Sequence, residues 1–373
     1  MFDCIYFSLT DLSIIDAYWK KLYSHNILIS KKGYKPLIIA YFSCGVGIYG
    51  CRNGKILLLL KYPSKNRMTK RFLLFKFLLL ILLKRNFKFI YFRYPRPDFL
   101  FFISLIFVKF RVCKIFYEIP TYPFSKEFPP LLTLHGLFER LNCYAFLPLS
   151  LPFINHILVI AYKGKIIFRP TIKIENGVTI APNVNYRKKN SEYLKLISVV
   201  NFSDSNNRHG LDRILQGLSK HDHSLKAVKL FIVGAGHNAS LQEAIKLGKE
   251  KGYVKLLGYK TSIELQDIYN EMDIGVGNLA FHRITVDYTS SLKEREFSGS
   301  GLPYISASLD YLIPDNINIR LKIPNDDDPV DIIKVLSFFE EFSKNSDPHK
   351  YVVFNAKNHL SWDIAMNNFL RLI

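Results

Sequence analysis

The residues best suited to chemistry lie in SSLKEREFSGSGLPYI, residues 290–305. Ser291 and Glu294 have the spacing of a capping box, which marks the start of a helix. Gly299 and Gly301 end that helix, and Pro303 prevents its continuation before a strand. The first amides of a helix have no partners within it, so those of Ser290, Ser291 and Leu292 are free to face a diphosphate. Lys293 adds a cation there. Glu296 follows by just over one turn, about 7 Å along the axis. A carboxylate at that offset accepts hydrogen bonds from the two adjacent hydroxyls of a ribose. Glu294 is expected to serve as the cap.

LFIVGAG, residues 230–236, is a buried strand running into Gly234 and Gly236. Such glycines permit close approach to a phosphate, or simply make a tight turn. The full G-x-G-x-x-G pattern is absent, because Ala239 holds the third position. In the first half, EIPTYP places Glu118 at the carboxyl end of an apolar strand, with Pro120 and Pro123 fixing an extended loop. His135, His156 and His282 lack partners at diagnostic spacing, and His282 is kept as a candidate catalytic residue.

These residues need a scaffold, and 373 residues with 49% hydrophobic and 22% charged content are enough for two globular domains. The net charge of +20 is unevenly placed: residues 1–165 hold 25 Lys and Arg against 7 Asp and Glu. A basic half implies an anionic partner. Nucleic acid is not expected, since no RNA-recognition, zinc or helix-turn-helix pattern occurs. FLLFKFLLLILL, residues 72–83, is too short to span a bilayer and is flanked by Lys70, Arg71, Lys84 and Arg85. It reads as a buried helix or as one lying on an anionic membrane surface. The five cysteines form no C-x-x-C pair, and no signal peptide is visible, so a cytoplasmic protein without a disulfide framework or metal site is expected.

Strands are expected at 4–7, 35–41, 55–60, 89–92, 114–117 and 156–160, alternating with helices at 13–25, 70–84, 98–110 and 132–147. This is the pattern of a parallel α/β sheet. A linker is expected within 169–190. A second doubly wound unit follows, with strands at 194–200, 229–233, 254–257, 274–276 and 303–305. Helices are expected at 208–218, 241–251, 263–270, 292–300, 329–342 and 362–370.

The order LKLISVVNFS, HGLDRILQGL, LFIVGAG, VKLLGY, LQDIYNEMDIGVGNL and SSLKEREFSGSGLPYI resembles glycosyltransferase family 4, over about 110 residues. The resemblance implies the GT-B fold, two Rossmann-like domains facing a central cleft. The expected division is 1–170 for the acceptor side, 171–350 for the nucleotide-sugar side, and 351–373 for a helix crossing back. It implies transfer from a UDP- or GDP-linked sugar, with retention, without a cofactor and without an obligatory metal. By register, Glu296 is the ribose-contacting second Glu of the family's E-x7-E pair, while Tyr288 replaces the first, a sugar contact. Arg208 and Arg213 stand near the family's diphosphate-binding Lys-Gly, here His209-Gly210. Gly258 and Tyr259 resemble the nucleobase loop. Glu118 falls where many members carry a catalytic-cleft His, and VCKIFYEIPTYPFSKE resembles bacterial polysaccharide-assembly members. The implied acceptor is a lipid-linked or growing surface glycan, and the implied location is peripheral, on the inner face of the cell membrane. A non-catalytic GT-B scaffold subunit is the alternative.

Overall fold

The computed structural model describes residues 2–11, 16–42, 44–52, 55–123, 133–181, 184, 192–202, 207–224 and 226–373. Residues 13–15 of the first expected helix, most of 182–190 in the expected linker, and the side chain of His135 lie outside the described residues. The chain divides into two compact units. One is Met1–Glu175 with Ala365–Ile373, and the other is Asn176–Ile364. The change of unit falls five residues beyond the expected boundary, and the return to the first unit begins at Ala365 rather than at residue 351.

In the first unit the order is β1 (Cys4–Asp11), α1 (Asp16–Lys31), β2 (Pro36–Phe42), β3 (Gly45–Arg52), β4 (Lys55–Pro63), α2 (Arg67–Lys84) and β5 (Phe87–Arg93). There follow α3 (Phe99–Arg111), β6 (Val112–Ile119), α4 (Leu134–Ser150), β7 (His156–Ile160), β8 (Lys165–Ile166) and β9 (Arg169–Ile174). The sheet order is β4-β3-β2-β1-β5-β6-β7-β9-β8. Its centre is parallel, and its strands read as near-continuous apolar runs because both faces are covered. Alternation along β1 shows the two layers. Tyr6 points to one side, stacked on Tyr91 at 5.0 Å and bonded to His25 of α1. Phe7 points to the other, against Phe75 of α2 at 5.1 Å. Helices α2, α3 and α4 pack side by side on that second face.

Two expectations are corrected here. The strand expected at 55–60 does not join the parallel centre; it is the outer strand of an antiparallel meander, β2-β3-β4. The expected linker contains a strand, since Arg169–Ile174 is β9, parallel to β7.

The second unit is built from β10 (Tyr193–Asn201), α5 (Leu211–Lys220), β11 (Ala227–Ala235), α6 (Ala239–Glu250), β12 (Val254–Gly258), α7 (Ser262–Tyr269) and β13 (Ile274–Val276). Then come α8 (Leu292–Gly299), β14 (Tyr304–Ser306), β15 (Arg320–Lys322), α9 (Ile332–Phe342) and α10 (Pro348–Leu360). Short helices α11 (Trp362–Ala365) and α12 (Asn367–Leu370) carry the chain back to the first unit, where Phe369 packs on Tyr91 and Phe116 at 5.0 and 5.1 Å. The sheet order β12-β11-β10-β13-β14-β15 is wholly parallel. Numbered within the unit, it is 3-2-1-4-5-6, the order of dinucleotide-binding folds. The direction of winding reverses between β10 and β13, and ligands of such sheets bind at the carboxyl ends beside that reversal.

Gly234 is required by close approach of the backbone. A Cβ there would lie 2.0 Å from the carbonyl oxygen of Val200 on β10. Gly234→Ala is expected to destabilise the second unit by about 1–3 kcal/mol through overpacking. Urea unfolding measures this, and an unchanged midpoint would contradict it.

Candidate functional site

The loop after β10 carries Arg208, His209 and Gly210. Gly210 holds a left-handed conformation, φ 63°, which turns the chain into α5. This loop is laced to the loop after β13: Leu279 donates its amide to His209 at 3.2 Å, and Ala280 donates to Arg208 at 3.2 Å. The His209 ring lies 3.1 Å from the side-chain oxygen of Asn278.

Asn278 is held in turn by Glu294 of α8. One oxygen of that carboxylate accepts from the Asn278 amide at 3.0 Å, from the Asn278 side chain at 3.4 Å and from the Ser306 hydroxyl at 2.9 Å. Glu294 is 0% exposed, and burial, followed by Asp310, raises its pKa against the lowering effect of those bonds. The expected capping box is therefore corrected. Ser291 does begin α8, but its side chain caps nothing. Glu294 turns inward to join the loop after β13 to the end of β14. The Ser-x-x-Glu spacing serves either role, and burial decides between them.

Lys293 donates to the carbonyl oxygen of Gly277 at 2.8 Å. Desolvation pulls its ammonium down to about 8, with Arg208 reinforcing this and Glu294 opposing it. His209 is driven to about 3, by desolvation first and then by Lys293 and Arg208. Burial is the main cause of both shifts, and the nearness of Arg208, His209 and Lys293 to one another adds to it. With His209 held neutral, Arg208 and Lys293 carry the positive charge there, which suits an anion.

Other expected residues fall elsewhere. Ser290 is buried, its hydroxyl accepting from the Asn176 amide at 2.8 Å. Glu296 is partly exposed and lies close enough to Tyr269 of α7 to add to the rise that burial causes in that phenol's pKa. Gly234, Gly236 and Gly258 line a pocket of about 650 Å³ with Phe202, Leu256 and Lys246. Gly258 has φ 72° with open space where a Cβ would stand, and Tyr259 beside it is exposed.

Three expectations are corrected by burial or by bonding. Arg213 is 1% exposed and spends its guanidinium on the 324–328 loop. It donates to the carbonyls of Asp328 at 2.6 Å and Pro324 at 3.0 Å, to Leu279, and to the Asp326 carboxylate at 2.6 Å. It is a tether rather than a diphosphate ligand. His282 is tied into the same loop, with its amide on Asn325 at 3.1 Å and its Nε2 at 3.1 Å from Asp327. Glu118 is 0% exposed and takes Lys21 at 2.7 Å and the Tyr91 hydroxyl at 2.5 Å. Burial alone would raise its pKa, but Lys21 and Arg93 overcome that and hold it at about 2. The carboxylate serves this internal network.

Asn278 and the inward role of Glu294 were missed by sequence reasoning. The available signals were the polar residues just past two apolar strands, Asn278 after β13 and Ser306-Ala-Ser308 at the end of β14.

No protein-family model and no curated protein sequence matches the chain. Solved structures do. A glycosyltransferase from Rickettsia africae is similar at 12% identity and TM-score 0.57, covering 100% of this chain and 97% of that one. The lipopolysaccharide outer core galactosyltransferase WaaB, in apo form, is similar at 13% identity and TM-score 0.56, covering 98% of each chain. An α-glucosyltransferase in complex with UDP and a 13-mer DNA is similar at 11% identity and TM-score 0.62, covering 100% of this chain and 99% of that one. The chain thus has the GT-B fold, with a Rossmann-like sheet in each of its two units.

Removing the Glu118 carboxylate leaves Lys21 and Arg93 buried without their counter-charge. Glu118→Ala is expected to cost about 3–5 kcal/mol of stability. Calorimetric unfolding measures it, and a loss below 1 kcal/mol would show that the ion pair is not the group's main contribution.

Proposed function

We propose that the chain is a glycosyltransferase that moves a sugar from a nucleoside-diphosphate donor to a glycan or lipid-linked acceptor at an anionic membrane surface. The observation that carries the reading is the loop of Arg208 and His209, laced to the loop after β13, with Lys293 of α8 bonded to the same loop, where the second sheet reverses its winding. In the reaction the bond from the anomeric carbon to the β-phosphate oxygen breaks, a bond to an acceptor hydroxyl oxygen forms, and the hydroxyl proton passes to the departing diphosphate. Negative charge grows on the leaving diphosphate. Amides at the start of α8 and the cations of Arg208 and Lys293 stabilise it, which is electrostatic catalysis of the kind a metal ion otherwise provides. Retention at the anomeric carbon and independence from metal are part of the proposal, as the family 4 resemblance implies. UDP is the first nucleotide to test, because several similar structures hold it, including an O-GlcNAc transferase with UDP and GlcNAc.

The membrane part of the proposal is supported by the outer surface of α2, α3 and α4. Phe72, Lys76, Leu80 and Leu83 follow one another down the exposed side of α2. Phe110 of α3 and Phe138 of α4 are 80% and 66% exposed. The three helices contain a single acidic residue, Glu139, which pairs with Arg96. No described helix is long and apolar enough to cross a membrane. Apolar side chains interleaved with cations on flat-lying helices suit the headgroup layer of an anionic leaflet better than a nucleic-acid backbone.

A non-catalytic scaffold remains the second reading, favoured by Tyr288 at the first family Glu position and by the internal roles of Glu118 and Arg213. Turnover of a nucleotide sugar separates the two.

Three outcomes are expected. Glu296→Ala weakens UDP or GDP binding about ten- to hundredfold by calorimetry, with unfolding unchanged; equal affinity would remove Glu296 from the site. The affinity for the diphosphate is full below pH 8 and falls as pH rises through that value, because only protonated Lys293 attracts the anion. Lys293→Met abolishes that step in a pH series, and a persisting step would assign it to another group. Vesicles with acidic lipid sediment the protein at low salt and release it at high salt, each cation near the surface contributing about 1 kcal/mol; equal binding to neutral vesicles would show a purely apolar contact.

A further inference from the structure

Beside the start of α8 two tyrosine rings lie face to face. The Tyr288 and Tyr311 centroids are 4.3 Å apart and their planes differ by 2°. Both remain exposed, at 41% and 51%. They stand on the loops that follow β13 and β14, at the ligand-binding end of the parallel sheet.

Backbone pairing holds these loops together. Tyr288 and Leu309 form a parallel bridge, with the Thr289 amide donating to Leu309 at 2.9 Å and the Leu309 amide donating to Asp287 at 2.7 Å. One residue before Tyr311, Asp310 accepts from the buried Arg295 of α8 at 2.5 Å and from the Leu312 amide at 3.0 Å. The ring pair therefore stands on a braced support while a large share of its aromatic surface meets water. Tyr288 is three residues from Ser291, the N-cap of α8, which puts its backbone within about 10 Å of the helix start. A backbone that near keeps the rings within reach of a sugar attached to a diphosphate bound there.

We infer that Tyr288 and Tyr311 form a stacking platform for a hexopyranose, the ring either of the transferred sugar or of the acceptor glycan. The physical match is specific to a sugar. One face of a pyranose presents several C–H bonds carrying slight positive charge, and the aromatic face carries the negative part of its quadrupole. Because the rings cover each other's inner faces, the sugar stacks on the outer face of one ring while the other ring backs it. Stacking of the two tyrosines on each other fixes both planes in advance, so little side-chain freedom is lost when a sugar arrives. The location of the platform relative to a diphosphate rests on the proposed donor site; its chemistry does not.

The test uses the full chain with Tyr288→Ala and Tyr311→Ala, and with Tyr288→Phe and Tyr311→Phe, which keep the rings. One arm measures calorimetric affinities for UDP, UDP-glucose, UDP-galactose and UDP-N-acetylglucosamine. The other measures saturation transfer to methyl glucosides, galactosides and N-acetylglucosaminides in the absence of nucleotide. If the platform holds the transferred sugar, the alanine variants bind UDP as the parent does. They lose about three- to tenfold of the affinity for one UDP-sugar. If it holds the acceptor, UDP-sugar affinities stay level and saturation transfer to a hexoside disappears. The phenylalanine variants retain most of either effect.

Three results overturn the inference: alanine variants equal to the parent in both arms, equal loss of UDP and UDP-sugar affinity, which would mark a nucleobase contact, and a parent protein that shows no sugar-dependent signal in either arm. Failure of the donor reading looks different. The parent then binds no nucleotide, while hexoside saturation transfer still depends on the two rings.

Discussion

At the reversal of winding between β10 and β13, two polar loops leave the same edge of an apolar sheet and need a common anchor. The buried carboxylate of Glu294 supplies it. One oxygen gathers the Asn278 amide and side chain and the Ser306 hydroxyl, and Asn278 passes the constraint to His209 and so to the loop after β10. Gly277 fits only because it lacks a side chain, since a Cβ would come within 2.7 Å of that carboxylate. Everything at the candidate site follows from this bond set. It fixes where α8 starts, which way Lys293 reaches, and how closely three basic groups are brought together. A charge buried in this way contributes position more reliably than stability.

Charged residues across the molecule divide, under the proposed function, into those used for construction and those that meet a ligand. Glu118 with Lys21, Arg213 with the 324–328 loop, and Arg295 with Asp310 belong to the first kind, each buried and paired. Under the proposed function, Arg208 and Lys293 serve a diphosphate and Glu296 a ribose. The excess positive charge of the first unit has a third use under the proposed function, on the outer sides of α2, α3 and α4, whose single acidic residue is Glu139.

Much of this architecture is legible in the sequence because its strands are uniform apolar runs. LKLISVV, KLFIV and IGV announce a buried parallel sheet, and α8 begins at Leu292, as Ser291 signals. Other elements are masked by their composition. β3 reads GVGIYGCR, and its glycines argue against a strand until the fold shows the rings of Tyr49 and Phe2 filling the space above Gly47 and Gly50. β9 begins Arg-Pro and alternates with Lys, so it resembles a linker. The candidate site is half legible. The start of α8 comes from local spacing, whereas the burial of Glu118 depends on Lys21, 97 residues away. Arg213 is likewise claimed by a loop more than a hundred residues further on. Spacing along the chain carries no information about such partners.

The most direct test of the account is amide hydrogen exchange, followed by mass spectrometry, with and without saturating UDP or GDP. A nucleoside diphosphate held at the reversal of the second sheet protects three separated stretches together: residues 208–211 after β10, 277–280 after β13, and 290–297 at the start of α8. Protection of these three with none in α9 is the predicted result. Protection confined to other segments, or none with either nucleotide, would contradict a donor site at this place.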